Sequence, residues 1–333
     1  MSDAPDRNES TGTMTMTKVP TVNLDTAADV PTGVGEQHRS RRRRRDRPMW
    51  MLAPGALLIG VVIVVPLLIG VYLSLLDLDQ YTLRDWLSAP FIGLQNYIEA
   101  VTSTNLLGAV WVSVSYSVLA TTLTIPLGVA AAIATQNAFR GRTAMRSLFL
   151  IPYIIPTFVV GTVFRTVLQP EGVLNSALGM EGTLWLNGPN SYWALIFVQV
   201  WSAWPFVYLL TLAGLQSVDH EVHEASALDG AGWWRKLTHV IFPYLRGPLA
   251  LAVVIATLHH LNNFTLPFVL FGVPAPSAVE VLPILTYVTG FQSLRFGLSA
   301  AMAIFSLILV LIPLLVYLRA VRLDSGTDKG EQR

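Results

Sequence analysis

Residues 50–76 read WMLAPGALLIGVVIVVPLLIGVYLSLL, without one charged side chain. A helix crosses about 30 Å of hydrocarbon with about 20 apolar residues, so this stretch is long enough to span a bilayer. It is also too long for the core of a signal peptide, which runs to about 15 residues. Directly before it stands Arg41-Arg42-Arg43-Arg44-Arg45-Asp46-Arg47. No aromatic residue interleaves that run, which speaks against a nucleic-acid patch. Its place beside a membrane span fits a cytoplasmic anchor that also meets anionic headgroups.

Working outward, five more apolar stretches follow, at 106–136, 147–168, 191–215, 248–271 and 296–318. The fold class expected is therefore all-α: a polytopic membrane protein with six transmembrane helices. Composition agrees. Of 333 residues, 53% are hydrophobic and 13% charged, with a mean hydropathy of +0.52. A soluble domain carries about 25% charged residues, and half of that cannot coat a water-soluble globule of this size. Residues 1–47 lack apolar periodicity and read as a disordered basic tail. Residues 48–320 form the membrane domain and 321–333 a C-terminal tail.

Charge sets the expected orientation. With the N-terminus in the cytoplasm, the tail, loop 137–146, loop 216–247 and the C-terminus share one side and hold 19 of the 22 Lys and Arg. Only Arg84, Arg165 and Arg295 remain. The positive-inside rule then puts both termini in the cytoplasm of a cell that carries the chain in its plasma membrane. Proline interrupts the spans at positions 54, 66, 126, 152, 156, 205, 267 and 313. Two readings are open for these: ordinary kinks, which a bundle tolerates, or joints on which helices rock.

Several chemistries are excluded by what is missing. The chain has no cysteine, no phosphate-binding G-x-x-x-x-G-K-[ST] loop, no G-x-S-x-G elbow and no H-E-x-x-H pair. No metal ligand set, catalytic residue or bound cofactor is expected, and the chain does not read as an enzyme. Ionisable groups inside the spans are sparse. His259 and His260 stand without a nearby carboxylate, which fits a polar lining better than a proton relay.

The loop at 216–247 is the most informative. It reads as a short helix opened by Asp219, a turn at Asp229-Gly230 and a second short helix that Pro243 stops. Val222, Ala225 and Leu228 recur at three-residue steps and make a narrow apolar stripe. Such a helix pair suits docking into a groove of another protein, or equally resting on the membrane surface.

Glu224-Ala225-Ser226, then Gly230, then Val240-x-Phe242-Pro243 resembles the EAA loop of binding-protein-dependent ABC importer permeases. Ser226, Val240 and Phe242 replace Ala, Ile and Leu of that pattern. Trp204-Pro205-Phe206, the 212–218 stretch LAGLQSV, the 91–97 stretch FIGLQNY and Asn262-Asn263-Phe264 resemble the carbohydrate-uptake branch, the maltose, glycerol-phosphate and trehalose permease type. The resemblance runs from about residue 50 to about 320. It implies the type I importer permease fold and a sugar or sugar-like solute moved by alternating access. It also implies a second six-span permease, two ATPase subunits that bind ATP and Mg, and an external solute-binding protein. Glu224, Ala225, Ser226, Asp229, Gly230, Ala231 and Pro243 would then meet the ATPase.

The solute path is read from the spans. Gln199, Trp201, Tyr208, His260, Asn262 and Asn263 are the polar and aromatic groups that suit sugar hydroxyls and ring faces. Each is equally suited to a helix–helix hydrogen bond or an interfacial aromatic belt. The coupling loop contacts the motor, so it does not separate a sugar from a glycerol phosphate, polyamine or peptide. A self-contained carrier or channel is the rival of a different class, and it leaves the EAA-like loop unexplained.

Overall fold

A computed structural model describes residues 53–217, 232, 235 and 237–327. Tail 1–47 and Glu224, Ala225, Ser226, Asp229, Gly230 and Ala231, assigned to ATPase coupling from sequence, lie outside the described residues. Of the residues before Gly55, which opens the compact unit, only Ala53 and Pro54 are described.

The described residues form helices and turns, with two isolated β-bridges and no strand. In chain order the helices are α1 Ala53–Leu73, α2 Gln95–Ser103, α3 Leu106–Ala134, α4 Arg142–Ile154, α5 Thr157–Val167, α6 Val173–Leu178, α7 Asn190–Gln216, α8 Phe242–Leu261, α9 Thr265–Phe271, α10 Leu282–Tyr287 and α11 Phe296–Thr327. Five of them, α1, α3, α7, α8 and α11, are long and apolar enough to cross a membrane. The pair α4 and α5, bent by 88°, makes a sixth span when taken together.

Three sequence expectations need correction. The third span, expected unbroken over 147–168, is an elbow. Ile155 is extended (φ −69°, ψ 127°) because the Pro156 ring crowds the helical conformation of the residue before it. The fifth span, expected at 248–271, starts earlier and ends earlier: α8 stops at Leu261, and residues 262–264 turn before the short α9. Pro243 does not stop a helix either. A π-helical turn at Leu237–Ile241 runs into α8, and Pro243 sits in the first turn of α8, where the wider π turn precedes it.

Packing in the bundle rests on small residues. Along α3, Ala109, Ser113, Ala120, Thr124, Gly128 and Ala132 are buried on one helical face. This is the spacing that lets backbones approach where lipid supplies no hydrophobic drive. Gly128 marks a close approach of α3 to α7: a β-carbon there would lie 2.6 Å from Val207 Cβ and 2.8 Å from the Tyr208 nitrogen. The central core joins Tyr116, Val160, Leu195, Val198, Leu266 and Ile284.

The 91–97 stretch has a mechanical role. Gly93 takes φ +61°, and the amides of Ile92 and Gly93 both donate to the Leu75 carbonyl. Buried Asn96 donates from Nδ2 to the carbonyls of Ser74 (2.9 Å) and Leu76 (2.8 Å), and the Tyr97 hydroxyl lies 2.7 Å from Ser74 Oγ. The stretch clamps the end of α1, none of whose residues up to Leu73 is buried.

Candidate functional site

The elbow opens a cavity of about 190 Å³ between α4, α5, α7 and α8. Tyr153, Thr157, Ser202, Phe206, His259 and His260 are among its lining residues. Helical spacing explains the α7 contribution: Ser202 and Phe206 lie three and seven residues beyond Gln199 and share its face. His260 is buried. Its Nδ1 lies 3.0 Å from Thr121 Oγ1, and its Nε2 has no partner among the described residues. An imidazole nitrogen left unpaired in a low-dielectric interior carries a desolvation cost of about 1–3 kcal/mol until something hydrogen-bonds to it. That nitrogen is itself closed to solvent, so the polar groups open to the cavity are those of its other lining residues, Thr157, Ser202 and His259, beside the aromatic wall of Tyr153 and Phe206.

A second polar cluster lies behind it. Gln199 Oε1 accepts from the Tyr116 hydroxyl at 2.7 Å and from Asn263 Nδ2 at 2.6 Å. Asn263 Oδ1 in turn accepts from the Leu266 amide at 3.2 Å and caps α9. The three side chains are buried together, and the Tyr116 and His260 rings stand 6.1 Å apart. This cluster pins the break after α8 against α7.

Of the six residues assigned to the path from sequence, His260 lines the elbow cavity, and Gln199 and Asn263 meet each other. Trp201 packs against Phe164 at 5.1 Å, and Tyr208 accepts from Thr135 Oγ1 at 3.2 Å toward the far end of α7. Asn262 lines a different cavity. Ser202, Phe206 and Tyr153 were not singled out from sequence, although the face they share with Gln199 and the nearby elbow would have indicated them. Among the described residues no three His, Cys, Asp or Glu side chains gather to hold a metal ion.

Of the residues assigned to ATPase coupling from sequence, Pro243 lies within the described part, and it is exposed. Both flanks of the loop are fixed to each other. Leu212 and Leu215 of α7 share a buried cluster with Leu237, Ile241 and Leu245, and a β-carbon on Gly214 would stand 2.9 Å from Leu245 and Pro248.

A bundle of apolar helices of spanning length marks a multi-pass membrane protein, and the elbow cavity lies within it. Residues 124–325 match the family described as the inner membrane component of binding-protein-dependent transport systems, and the chain belongs to that family. It is 30% identical over 281 residues to the sulfoquinovosyl glycerol transport system permease protein SmoG of Agrobacterium fabrum, covering 82% of this chain and 89% of that one. It is 29% identical over 239 residues to the trehalose/maltose permease MalF of Thermococcus litoralis, covering 70% and 80%. The trehalose permease SugA of Mycobacterium tuberculosis is 28% identical over 302 residues, covering 90% and 97%. Among solved structures, a chain of a bacterial ABC transporter that imports the acidic polysaccharide alginate superposes with a TM-score of 0.67 at 22% identity, covering 81% of this chain and 94% of that one. The chain is a permease, a transport subunit, and the likeness to the alginate system is one of fold.

Proposed function

We propose that this chain is the permease half of an ATP-driven importer that takes a neutral sugar or sugar-like solute into the cytoplasm, and that the elbow cavity holds the solute. The observation that carries this reading is the mixed lining of that cavity, with Thr157, Ser202, His259 and His260 beside Tyr153 and Phe206. Hydroxyl groups both donate and accept, so a polyol pairs with the Thr157 and Ser202 hydroxyls and with an imidazole in either tautomer. A ring face meets the aromatic side chains. Among the described residues no Lys or Arg lines the cavity, which suits a neutral solute over a phosphate, although the glycerol-phosphate permease UgpA is among the relatives. Three relatives named for sugars or a sugar glycerol support the same class.

Solute is released by an external binding protein, and the bundle alternates between outward-open and inward-open states. ATP and Mg sit in two partner ATPase subunits, and loop residues 224–243 couple their closure to the spans. A second six-span permease completes the path. Both termini face the cytoplasm, on the arginine asymmetry, so the 74–105 and 272–295 connections lie outside. A self-contained carrier leaves membership of a binding-protein-dependent family without an account.

Uptake by the complete importer tests the reading. His260→Ala is expected to raise the half-saturating concentration of trehalose or maltose about five- to tenfold, the loss of one hydrogen bond of about 1 kcal/mol or slightly more. Unchanged saturation in His260→Ala and Ser202→Ala together would contradict it.

A further inference from the structure

A second cavity, of about 480 Å³, lies between the 262–264 turn, α10 with Phe291 just beyond it, and α11, and has a different chemistry. One wall is aromatic. Tyr287 and Phe291 stack at 5.2 Å with 27° between their planes, and Phe264 lies 5.2 Å from Tyr287. Phe291 is two-thirds exposed, at 67%. The facing wall belongs to α11, where Ser299, Ala303 and Ser306 line the groove down to Val310. From Ser299 to Val310 a helix rises about 16 Å, roughly half of the hydrocarbon thickness.

The groove thus runs from the outer rim toward mid-membrane, in the orientation proposed above. At its deep end stands Asn262, exposed and two residues past His260. The side chains of Asn262 and Ser306 make no hydrogen bond among the described residues. Lipid tails need no such groups, and leaving them in hydrocarbon is costly. A polyhydroxylated ring uses both walls: its C–H face lies on the π-faces, and its hydroxyls reach Asn262, Ser299 and Ser306.

We propose that this groove is the outer half of the solute's route, a sugar-binding slide that delivers the ring from the outer face to the end of α8, where His260 enters the elbow cavity. The proposal rests on the sugar-importer reading. Its specific content is that Tyr287, Phe291, Asn262 and Ser306 touch solute before the elbow cavity does.

The absence of cysteine from this chain makes the test direct. In the complete importer in its native membrane, Ser299→Cys, Ser306→Cys and Ile308→Cys are exposed from outside to a small, charged, impermeant thiol reagent. Remaining thiols are then counted on the denatured chain by a mass tag. Ile308 is exposed on α11 but does not line the groove. The expected result is rapid block of Ser299→Cys and Ser306→Cys, slowed several-fold by trehalose or maltose, with Ile308→Cys untouched. A Ser306→Cys that resists block while Ser299→Cys reacts, or an Ile308→Cys that reacts equally, would overturn the proposal. So would block that is indifferent to a sugar which the parent importer takes up. Failure of the parent to take up either disaccharide is read separately, as a failure of the sugar reading itself.

Discussion

Asn263 Nδ2 lies 2.6 Å from Gln199 Oε1, so the break between α8 and α9 is tied to the middle of α7. The Tyr116 hydroxyl brings α3 to the same oxygen. Three spans therefore converge on one amide directly behind the elbow cavity.

Replacing that amide should act on stability before it acts on solute. Gln199→Met leaves Asn263 Nδ2 and the Tyr116 hydroxyl without their shared acceptor, at a cost of about 1–3 kcal/mol. The purified complex should melt several degrees lower, while residual uptake keeps its half-saturation. A normal melting temperature with impaired saturation would place Gln199 in solute contact instead.

Gly128 should tolerate no bulk. Gly128→Leu pushes a side chain into Val207 and the α7 backbone, which in a packed interior costs about 1–3 kcal/mol or more. Yield of folded protein in the membrane should fall sharply. Gly128→Ala should show a smaller fall of the same sign, because its β-carbon already meets Val207.

Acid should loosen the junction of α2 with the start of α11. Arg295 forms a two-pronged ion pair with Glu99, one prong at 2.8 Å, and joins α2 to the start of α11. The hydrogen bond and charge of Arg295 hold the Glu99 carboxyl below its ordinary value of 4.5, against a smaller opposing effect of burial. A lowered folded-state pKa gives stability that is complete above the ordinary value and is lost as pH falls from there through the lowered one. The pair is largely exposed, so the effect is about 1 kcal/mol or less. Glu99→Gln should melt slightly lower than the parent at pH 7, and the two curves should merge at acid pH. A gap that persists in acid would contradict this assignment.

Gly230→Leu tests the loop that lies outside the described residues. The bulky side chain should abolish uptake and weaken ATPase association, with the spans still inserted. Full uptake and full association would remove the loop from the coupling role. The fixed base of the loop, where Gly214 meets Leu245 and Pro248, is where its motion would enter the bundle.

Much of this was legible in the sequence, for physical reasons. Apolar length is a local property, so six stretches of spanning length could be read directly, five of which are single long helices and one a bent pair. The elbow was hidden because Pro152 and Pro156 look alike along the chain. Pro152 stays inside α4, and only Pro156, with Ile155 extended before it, breaks the helix. The end of α8 was hidden because Asn262 and Asn263 interrupt an apolar run too briefly to mark a boundary. Gln199, Asn263 and His260 could be named, since buried polar groups in a membrane need a reason. Their division into a hydrogen-bonded cluster and a cavity wall depends on which helices meet, and no periodicity records that. Ser202 is a small polar residue like many others until the elbow places a cavity beside it.

Co-purification from the native membrane in mild detergent, with the bound chains identified by mass spectrometry, tests the central claim most directly. The account predicts a P-loop ATPase, a second six-span permease and an exported solute-binding protein in one complex with this chain. Recovery of this chain alone, from membranes whose uptake survives ATP depletion, would contradict it.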